Sequence, residues 1–244
     1  MRFLVYNIAY GTGAPGGMGK NILTAHRYLR TPEKPLDDII RFISAAKADI
    51  VGLVEVDTGS FRTDYVNQAD RVAMALNQYY HCGVKYGLDS LSRRIPILRR
   101  QANALLTKQR LTPYAFHYFP IGFKRLIIEV ELNGIHIFLV HLALVKRSRK
   151  IQLKHLSRLI PRGKPVIIGG DFNTLDGDDE LAAFMEKLSL RNANLYNTPT
   201  FPSWNAEKQL DFILYSPEIR PLDFRVADVR FSDHLPVVFD FELK

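Results

Sequence analysis

Residues 164–173 read Lys-Pro-Val-Ile-Ile-Gly-Gly-Asp-Phe-Asn. The apolar run predicts a buried strand over residues 164–169, because Pro and Gly bound it and it is too short for a helix. Two glycines before an acid indicate a tightly bent backbone that points the Asp171 carboxylate into a cleft. Polar side chains beside an apolar run are therefore candidates for a functional site, and the chain contains more of them.

Other polar side chains adjoin or interrupt apolar runs: Asn7 and Glu55 each end one, His141 lies inside one, and Asp233 with His234 precede the last. Each has a structural alternative when taken alone. Asn7 could form a turn, Glu55 could be a surface acid, and His141 could be a core histidine with satisfied hydrogen bonds. Taken together, these groups supply oxygen ligands for Mg²⁺, a proton acceptor and phosphate donors, which phosphoryl chemistry needs in one place.

The remaining apolar patterns predict many strands and four helices. The other strands are expected over residues 2–8, 49–56, 102–107, 112–118, 125–132, 135–142, 210–215, 224–229 and 235–241. Helices are expected over residues 36–47, 68–77, 148–160 and 179–188. Asn133-Gly134 separates two of the strands and predicts a hairpin, since both residues of such a turn need positive φ. So many consecutive strands exclude a simple βαβ repeat and favour two packed sheets with helices outside.

The bulk composition is that of a globular protein, with 47% hydrophobic and 24% charged residues. We expect a single domain over residues 1–244 and a monomer. The lone cysteine, Cys82, excludes a disulfide framework within the chain. The N-terminal residues lack the apolar core of a secretory signal, and no window reaches about 18 apolar residues. We therefore expect a soluble, cytoplasmic protein.

Charge is unevenly distributed along a chain whose net charge is +8. Residues 85–164 contain 17 Lys and Arg against 3 Asp and Glu, whereas residues 165–244 contain 7 against 14. A basic region beside an acidic one suits a metal site that acts on a polyanionic phosphate ester, with nucleic acid favoured. The alternative is a solvated basic face without a partner.

A set of short motifs then occurs in a fixed order along nearly the whole chain: Tyr6-Asn7-Ile8, Leu53-Val54-Glu55-Val56, Asn103-Ala104-Leu105-Leu106, Val140-His141-Leu142, Gly170-Asp171-Phe172-Asn173, Leu210-Asp211-Phe212-Ile213-Leu214 and Ser232-Asp233-His234-Leu235-Pro236-Val237. This ordered set resembles the DNase I-like endonuclease/exonuclease/phosphatase superfamily. The resemblance implies an α/β fold, a four-layer sandwich of two packed mixed β-sheets flanked by helices. It places the active site at the top, between the sheets.

The resemblance also implies roles for individual residues. Mg²⁺, for which Mn²⁺ could substitute, would be held by acidic and amide groups: Glu55, Asp233 and Asn7. The catalytic residues would be Asp171, Asn173, His234, Asp211 and His141. Asp211 is expected to pair with His234, and it stays open which of Asp171 and His234 takes the proton of the attacking water. Substrate phosphate would contact Asn7, His141, Asn103 and Arg62.

Three segments qualify these expectations. Many nuclease members carry an acid two positions after the first Asn, where this chain has Ala9, so one metal ion is the safer hypothesis. Residues 55–62 resemble a bacterial metal-dependent hydrolase subgroup, and Arg62 is either a phosphate clamp or a surface arginine. Near Asp211, Pro202 and Trp204 either line the pocket or simply pack.

Residues 11–16, Gly-Thr-Gly-Ala-Pro-Gly, match a dinucleotide-binding motif literally. Such a motif must open a helix, and the glycines and proline that follow are poor helix formers. We expect no nucleotide cofactor and interpret residues 11–35 as a loop at the rim of the active site.

Three functions remain for this sequence. The leading one is a nuclease that cleaves DNA or RNA phosphodiesters. The second keeps the chemistry and changes the substrate to a phospholipid head group, an inositol-type phosphate or another small phosphate. The third, a non-catalytic binding protein on the same scaffold, is disfavoured because none of the expected catalytic groups is missing.

Overall fold

A computed structural model describes residues 1–14, 30–86, 94–175 and 179–244. Most of the expected rim loop over residues 11–35, with the last two residues of the Gly-rich motif, lies outside the described residues. The residues before it form a 3₁₀ turn, Ala9–Gly11. None of the helices in the described part of the chain combines the length and apolar character needed to span a bilayer.

Twelve strands and four helices occur among the described residues. The strands are β1 Arg2–Asn7, β2 Ile50–Asp57, β3 Tyr79–Val84, β4 Gln101–Thr107, β5 Tyr114–Tyr118, β6 Leu126–Leu132, β7 Ile135–His141, β8 Val166–Asp171, β9 Arg191–Asn192, β10 Asp211–Tyr215, β11 Ile219–Val226 and β12 Val237–Leu243. The helices are α1 Glu33–Ala46, α2 Gln68–Leu76, α3 Lys146–Leu159 and α4 Asp179–Leu188.

The strands form two six-stranded sheets, with orders β11-β12-β1-β2-β4-β3 and β5-β6-β7-β8-β10-β9. Both sheets are mixed, because β1–β2 and β7–β8 are parallel pairs among antiparallel neighbours. One apolar cluster fills the space between the sheets and includes Phe3, Leu139 and Phe239. Two further clusters join the outer faces of the sheets to α1 with α2 and to α3 with α4. The predicted four-layer sandwich is therefore confirmed.

Close packing between the layers explains the two glycines before Asp171. Both lie inside β8 rather than at the bend that the sequence suggested. A Cβ on Gly169 would lie 2.7 Å from the Phe3 ring of the opposite sheet. Gly170 has φ +151°, and a Cβ there would collide with the carbonyl oxygen of Val140. The glycines therefore let β8 approach its neighbours, and the strand continues straight to the carboxylate.

The remaining differences from the expected elements lie at edges and ends. Helix α1 begins at Glu33, before Pro35, because the first helical turn has N–H groups without intrahelical partners and tolerates proline. Edge strand β11 begins earlier than expected and contains Pro221 at an irregularity in its pairing. The patterns missed β3, whose polar and half-buried residues hide its alternation, and the two-residue β9. The predicted hairpin at Asn133-Gly134 is confirmed, with both φ angles positive.

Candidate active site

The strand order brings the polar strand ends together at one end of the sandwich. In the second sheet, Asp171 lies in register with His141 of β7 on one side and with Asp211 of β10 on the other. In the first sheet, the ends of the parallel strands β1 and β2 carry Asn7 and Glu55. Side-chain contacts between Asn7 and Asp171 join the two sheets, so residues far apart in sequence share one site.

Asp171 is the buried centre of this site. Its Oδ2 accepts from Asn7 Nδ2 at 3.0 Å, and its Oδ1 accepts from the Asn173 backbone N–H at 3.0 Å. His141 Nε2 lies 3.2 Å from Oδ2, and His234 Nε2 lies 3.9 Å from it. Burial opposes ionisation, but the two imidazoles outweigh it and hold the pKa of Asp171 well below its ordinary value. The carboxylate is thus kept charged and fixed in orientation.

His234 is oriented from its other ring nitrogen. Nδ1 lies 2.8 Å from Asp211 Oδ2, and the same oxygen accepts from Thr200 Oγ1 at 2.7 Å. Burial alone would lower the pKa of His234, but the carboxylates of Asp211 and Asp171 raise it to about 10. The ring also contacts the Phe201 ring, with 4.9 Å between centroids. Asp211 and His234 therefore form the expected pair in the structure.

Glu55 sits in a distorted part of β2. Its φ is +59°, and the pairing with β4 shifts between Leu53 and Val56, as in a β-bulge that re-aims one side chain. The backbone N–H of Glu55 donates to Asn103 Oδ1 at 3.2 Å. A positive φ is costly for a residue with a side chain, so this strain is stored where the carboxylate must point into the site.

Two lysines that the sequence patterns did not single out face Glu55. Lys85 Nζ lies 3.3 Å and Lys124 Nζ 3.7 Å from Glu55 Oε1. Burial opposes the ionisation of Glu55, but these ammonium groups outweigh it and lower its pKa to about 2. Lys85 also donates to Tyr10 Oη at 2.8 Å, and burial lowers its own pKa to about 8.

Arg62 is buried, so the interpretation of Arg62 as a surface arginine is wrong. Its Nε donates to Asp57 Oδ2 at 2.5 Å, and both side chains are fully buried. The guanidinium also stacks on the Tyr10 ring, 4.0 Å from the centroid. Asp57 further accepts from the backbone N–H groups of Gly59 and Ser60. Arg62, the expected phosphate clamp, is therefore engaged in a structural ion pair with Asp57.

The amide side chains are also partly engaged. Asn7 Oδ1 accepts from the Ala9 N–H and its Nδ2 donates to Asp171, so Asn7 positions the central carboxylate. Asn173 Nδ2 donates to the Leu142 carbonyl. Asp233 accepts from Ser232 Oγ, and burial raises its pKa, with Glu55 acting in the same direction. The roles expected for these three residues toward metal or phosphate stay predictions.

Unpartnered buried polar atoms suit the site to an anion, and the Glu55 carboxylate suits a divalent cation. Several buried polar atoms have no hydrogen-bond partner among the described residues: Nδ1 of His141, Nδ2 of Asn103 and Oδ1 of Asp211. Such atoms call for a ligand. In the described part of the chain no group of three or more His, Cys, Asp or Glu side chains is arranged to hold a metal. Mg²⁺ needs fewer protein ligands, because it keeps several waters and uses one or two carboxylates such as Glu55.

Some of the missed residues lie beside residues that the sequence patterns did single out. Thr200 lies two positions before Pro202, one of the two residues expected near Asp211, and its hydroxyl donates to Asp211. Lys85 and Lys124 belong to a long basic stretch in which nothing distinguishes them from their neighbours. Only the three-dimensional contact with Glu55 separates these two lysines from the others.

Comparisons with known proteins agree with this geometry. A sequence model described as Endonuclease/Exonuclease/phosphatase family matches residues 4–234. No curated protein matches the sequence. The solved structures that resemble it include an endonuclease/exonuclease/phosphatase from Beutenbergia cavernae, with TM-score 0.74, 19% identity, and coverage of 100% of this chain and 71% of that one.

Two further structures have more specific descriptions. A mannosyl-6-phosphatase from Bacteroides thetaiotaomicron has TM-score 0.75 and 16% identity, with each chain covered completely. The human Nocturnin catalytic domain, solved with a bound sulfate anion, has TM-score 0.70 and 20% identity, with coverage of 100% of this chain and 93% of that one. At these identities the likeness carries the fold alone.

Proposed function

Because the chain belongs to the Endonuclease/Exonuclease/phosphatase family, we propose that it is a divalent-metal-dependent phosphoesterase, which hydrolyses a phosphate ester by attack of water on phosphorus. Members of this family are generally phosphoester hydrolases. One observation supports the proposal above the others: the ionised Asp171 carboxylate faces His141 and His234, while Asp211 orients His234.

Asp171 is the group that accepts the water's proton. Its carboxylate is fixed at both oxygens by Asn7 and the Asn173 N–H, and a water beside it would lie between the two imidazoles. His234 is suited to the opposite task, donation from Nε2 to a phosphate oxygen, because its Nδ1 is held by Asp211. We therefore propose Asp171 as the base, a choice that the sequence left open.

Phosphate binding uses donors that lack another partner. The buried Nδ2 of Asn103 and the ring of His141 would donate to phosphate oxygens. Lys85 and Lys124 add positive charge beside them. Glu55 would hold one Mg²⁺ or Mn²⁺ ion, with Asp233 in support. When bound, this ion would offset the negative charge on the phosphate oxygens.

Charge and exposed apolar side chains bear on the substrate class. The basic stretch over residues 85–164 supports a polyanionic substrate, and the nuclease acting on DNA or RNA that the sequence predicts is one candidate of this kind. A phospholipid head group is the second candidate, because apolar side chains are exposed beside Lys124. A non-catalytic protein would not need the fixed Asp171–His234 arrangement.

A hydrolysis assay with matched variants tests the proposal. The purified chain with Mg²⁺ or Mn²⁺, and with EDTA, would be incubated with bis-p-nitrophenyl phosphate, plasmid DNA, single-stranded DNA, RNA and phospholipid. We expect metal-dependent release of product that His234→Ala and Asp171→Asn abolish. His117→Ala and Asp228→Asn are the controls, since both residues lie outside the site, and should retain activity.

The outcomes separate the parts of the proposal. If the folded wild-type chain hydrolyses none of these substrates with either metal, the enzyme proposal fails. Hydrolysis of lipid but not of nucleic acid would refute the nuclease prediction and leave the site chemistry intact. Equal activity in His234→Ala and wild type would refute the assigned roles.

A further inference from the structure

Two loops beside the site carry apolar side chains into solvent. Ile121 and Phe123 lie in the loop between β5 and β6, and Leu144 and Val145 lie between β7 and α3. All four are exposed, and Phe123 is 76% exposed. A Cβ added to Gly122 would lie 3.4 Å from the Cβ of Ala143, so the two loops touch. We call these four side chains the apolar edge.

The apolar edge is held together from below by one buried side chain. Gln152 of α3 donates from Nε2 to the carbonyl oxygens of Ile121 and Lys124, both at 2.9 Å. Its Oε1 accepts from the Ala143 N–H at 2.8 Å. Because one amide fixes both loops, the exposed side chains above it form a single surface.

The same loops also reach the active site. Lys124, the residue after Phe123, points inward and lies 3.7 Å from Glu55 Oε1. Leu142, two residues before Leu144, donates its backbone N–H to the Asp171 carbonyl at 2.9 Å. The apolar edge therefore borders the opening of the site.

A basic stripe continues from the apolar edge along α3. Its members recur at helical spacing on the exposed face: Arg147, Lys150, Lys154 and Arg158. No acid occurs in α3. None of the four makes an ion pair with any residue that the structure describes. The nearby acids of α4, Asp179 and Glu180, pair instead with Lys146 and Arg149.

We propose that the apolar edge and the basic stripe together dock on an anionic phospholipid bilayer. Exposed apolar side chains enter the boundary between head groups and acyl chains, while Lys and Arg attract anionic lipid, and stable docking needs both signals. Nucleic acid is a poorer fit to the edge, because three of its four side chains are aliphatic and offer bases no aromatic face.

This surface gives the proposed phosphoesterase a location and a substrate class. Because the apolar edge adjoins the site, a lipid head group of the docked bilayer would stand beside it, so the phosphate ester would come from the bilayer surface. This assignment of the substrate class rests on the proposed function. The docking itself does not, since no residue of the apolar edge or the basic stripe belongs to the catalytic site.

Sedimentation with vesicles tests the docking. The full chain would be mixed with vesicles of phosphatidylcholine alone, or of phosphatidylcholine with phosphatidylglycerol, and the bound fraction measured. We expect binding to the mixed vesicles that falls with added NaCl. Phe123→Ser/Val145→Ser and Lys150→Glu/Lys154→Glu should each weaken it about tenfold or more. Met74→Ser is the control and should bind like wild type, because Met74 is also 76% exposed but lies on α2, in the other helix layer.

The proposal is overturned if the wild type leaves both vesicle types in the supernatant, or if both double variants bind as well as Met74→Ser. Binding to DNA or RNA in a mobility-shift assay, without vesicle binding, would also overturn it. His234→Ala distinguishes docking from catalysis. It should bind vesicles normally, so bound but inactive wild-type protein would refute the proposed function and leave the docking intact.

Discussion

Replacing Asp57 by Ala should unfold the protein far more readily, because it leaves the buried Arg62 guanidinium without its counter-ion. The pair is fully buried, with Nε 2.5 Å from Oδ2. Removing one partner of a buried pair costs about 3–5 kcal/mol, since the remaining charge is uncompensated. The substitution also removes the acceptor for the N–H groups of Gly59 and Ser60.

Urea unfolding followed by circular dichroism measures this change in the free energy of unfolding. For a chain of this length about 2–4 °C of Tm accompanies each kcal/mol, so the melting temperature should fall by roughly 6–20 °C. Asp37→Ala is the matched control. Asp37 also pairs with an arginine, Arg71, at 2.7 Å, but the side chains are 45% and 34% exposed, and such pairs contribute about 0–1 kcal/mol.

The double variant Asp57→Ala/Arg62→Met sharpens the test. Because Met leaves no buried charge, it should recover part of the stability that Asp57→Ala loses. The reasoning is refuted if Asp57→Ala costs no more than Asp37→Ala. The same variants decide between two roles for Arg62, because a phosphate clamp would raise KM in a folded Arg62→Met enzyme, whereas a structural partner would lower its stability.

Three further predictions concern the site itself. Asp211→Asn should lower kcat about 10²–10⁴-fold, because His234 loses its orienting charge. Steady-state kinetics measures kcat, and circular dichroism checks that the fold is retained. A kcat within about twofold of wild type would contradict this prediction. Lys85→Met should tighten Mn²⁺ binding about tenfold in calorimetry, because it removes a cation 3.3 Å from Glu55, and weaker binding would count against Glu55 as the metal ligand. Burial holds the pKa of His141 at about 3, below its unfolded value of about 6.5, so its stabilising contribution is present above pH 6.5 and lost as pH falls toward 3. Between pH 6.5 and 3, the free energy of unfolding of His141→Gln should therefore fall by about 1.4 kcal/mol less per pH unit than that of wild type. The same pH dependence of the free energy of unfolding in both proteins would contradict this.

The fold was largely predictable because it depends on alternation and strand ends. Buried central strands such as β1, β2 and β8 consist of apolar runs that a sequence displays directly. Edge strands have one free side and half-buried residues, so β3 and the start of β11 lack that signal. Helix α1 began before its proline because the first turn needs no N–H donor there.

Some residues of the site were predictable from the sequence and others were not. Residues proposed for the chemistry, such as Asp171 and His234, stand out because polar groups adjoin apolar runs there. Residues that act on them from another part of the chain do not. Lys85 reaches Glu55 across 30 positions of sequence, and Arg62 is buried by Tyr10 and Asp57 although it follows a strand like a surface residue.

The excess of basic residues over positions 85–164 contains two groups with different tasks. Lys85 and Lys124 turn inward and compensate Glu55, so they belong to the site whatever the substrate is. The basic stripe on α3 faces solvent without ion pairs to described residues, and it is the part that can meet an external polyanion. Net charge cannot separate a nucleic acid from an anionic bilayer, because both attract the stripe. The neighbouring apolar edge can, since only a bilayer removes its aliphatic side chains from water.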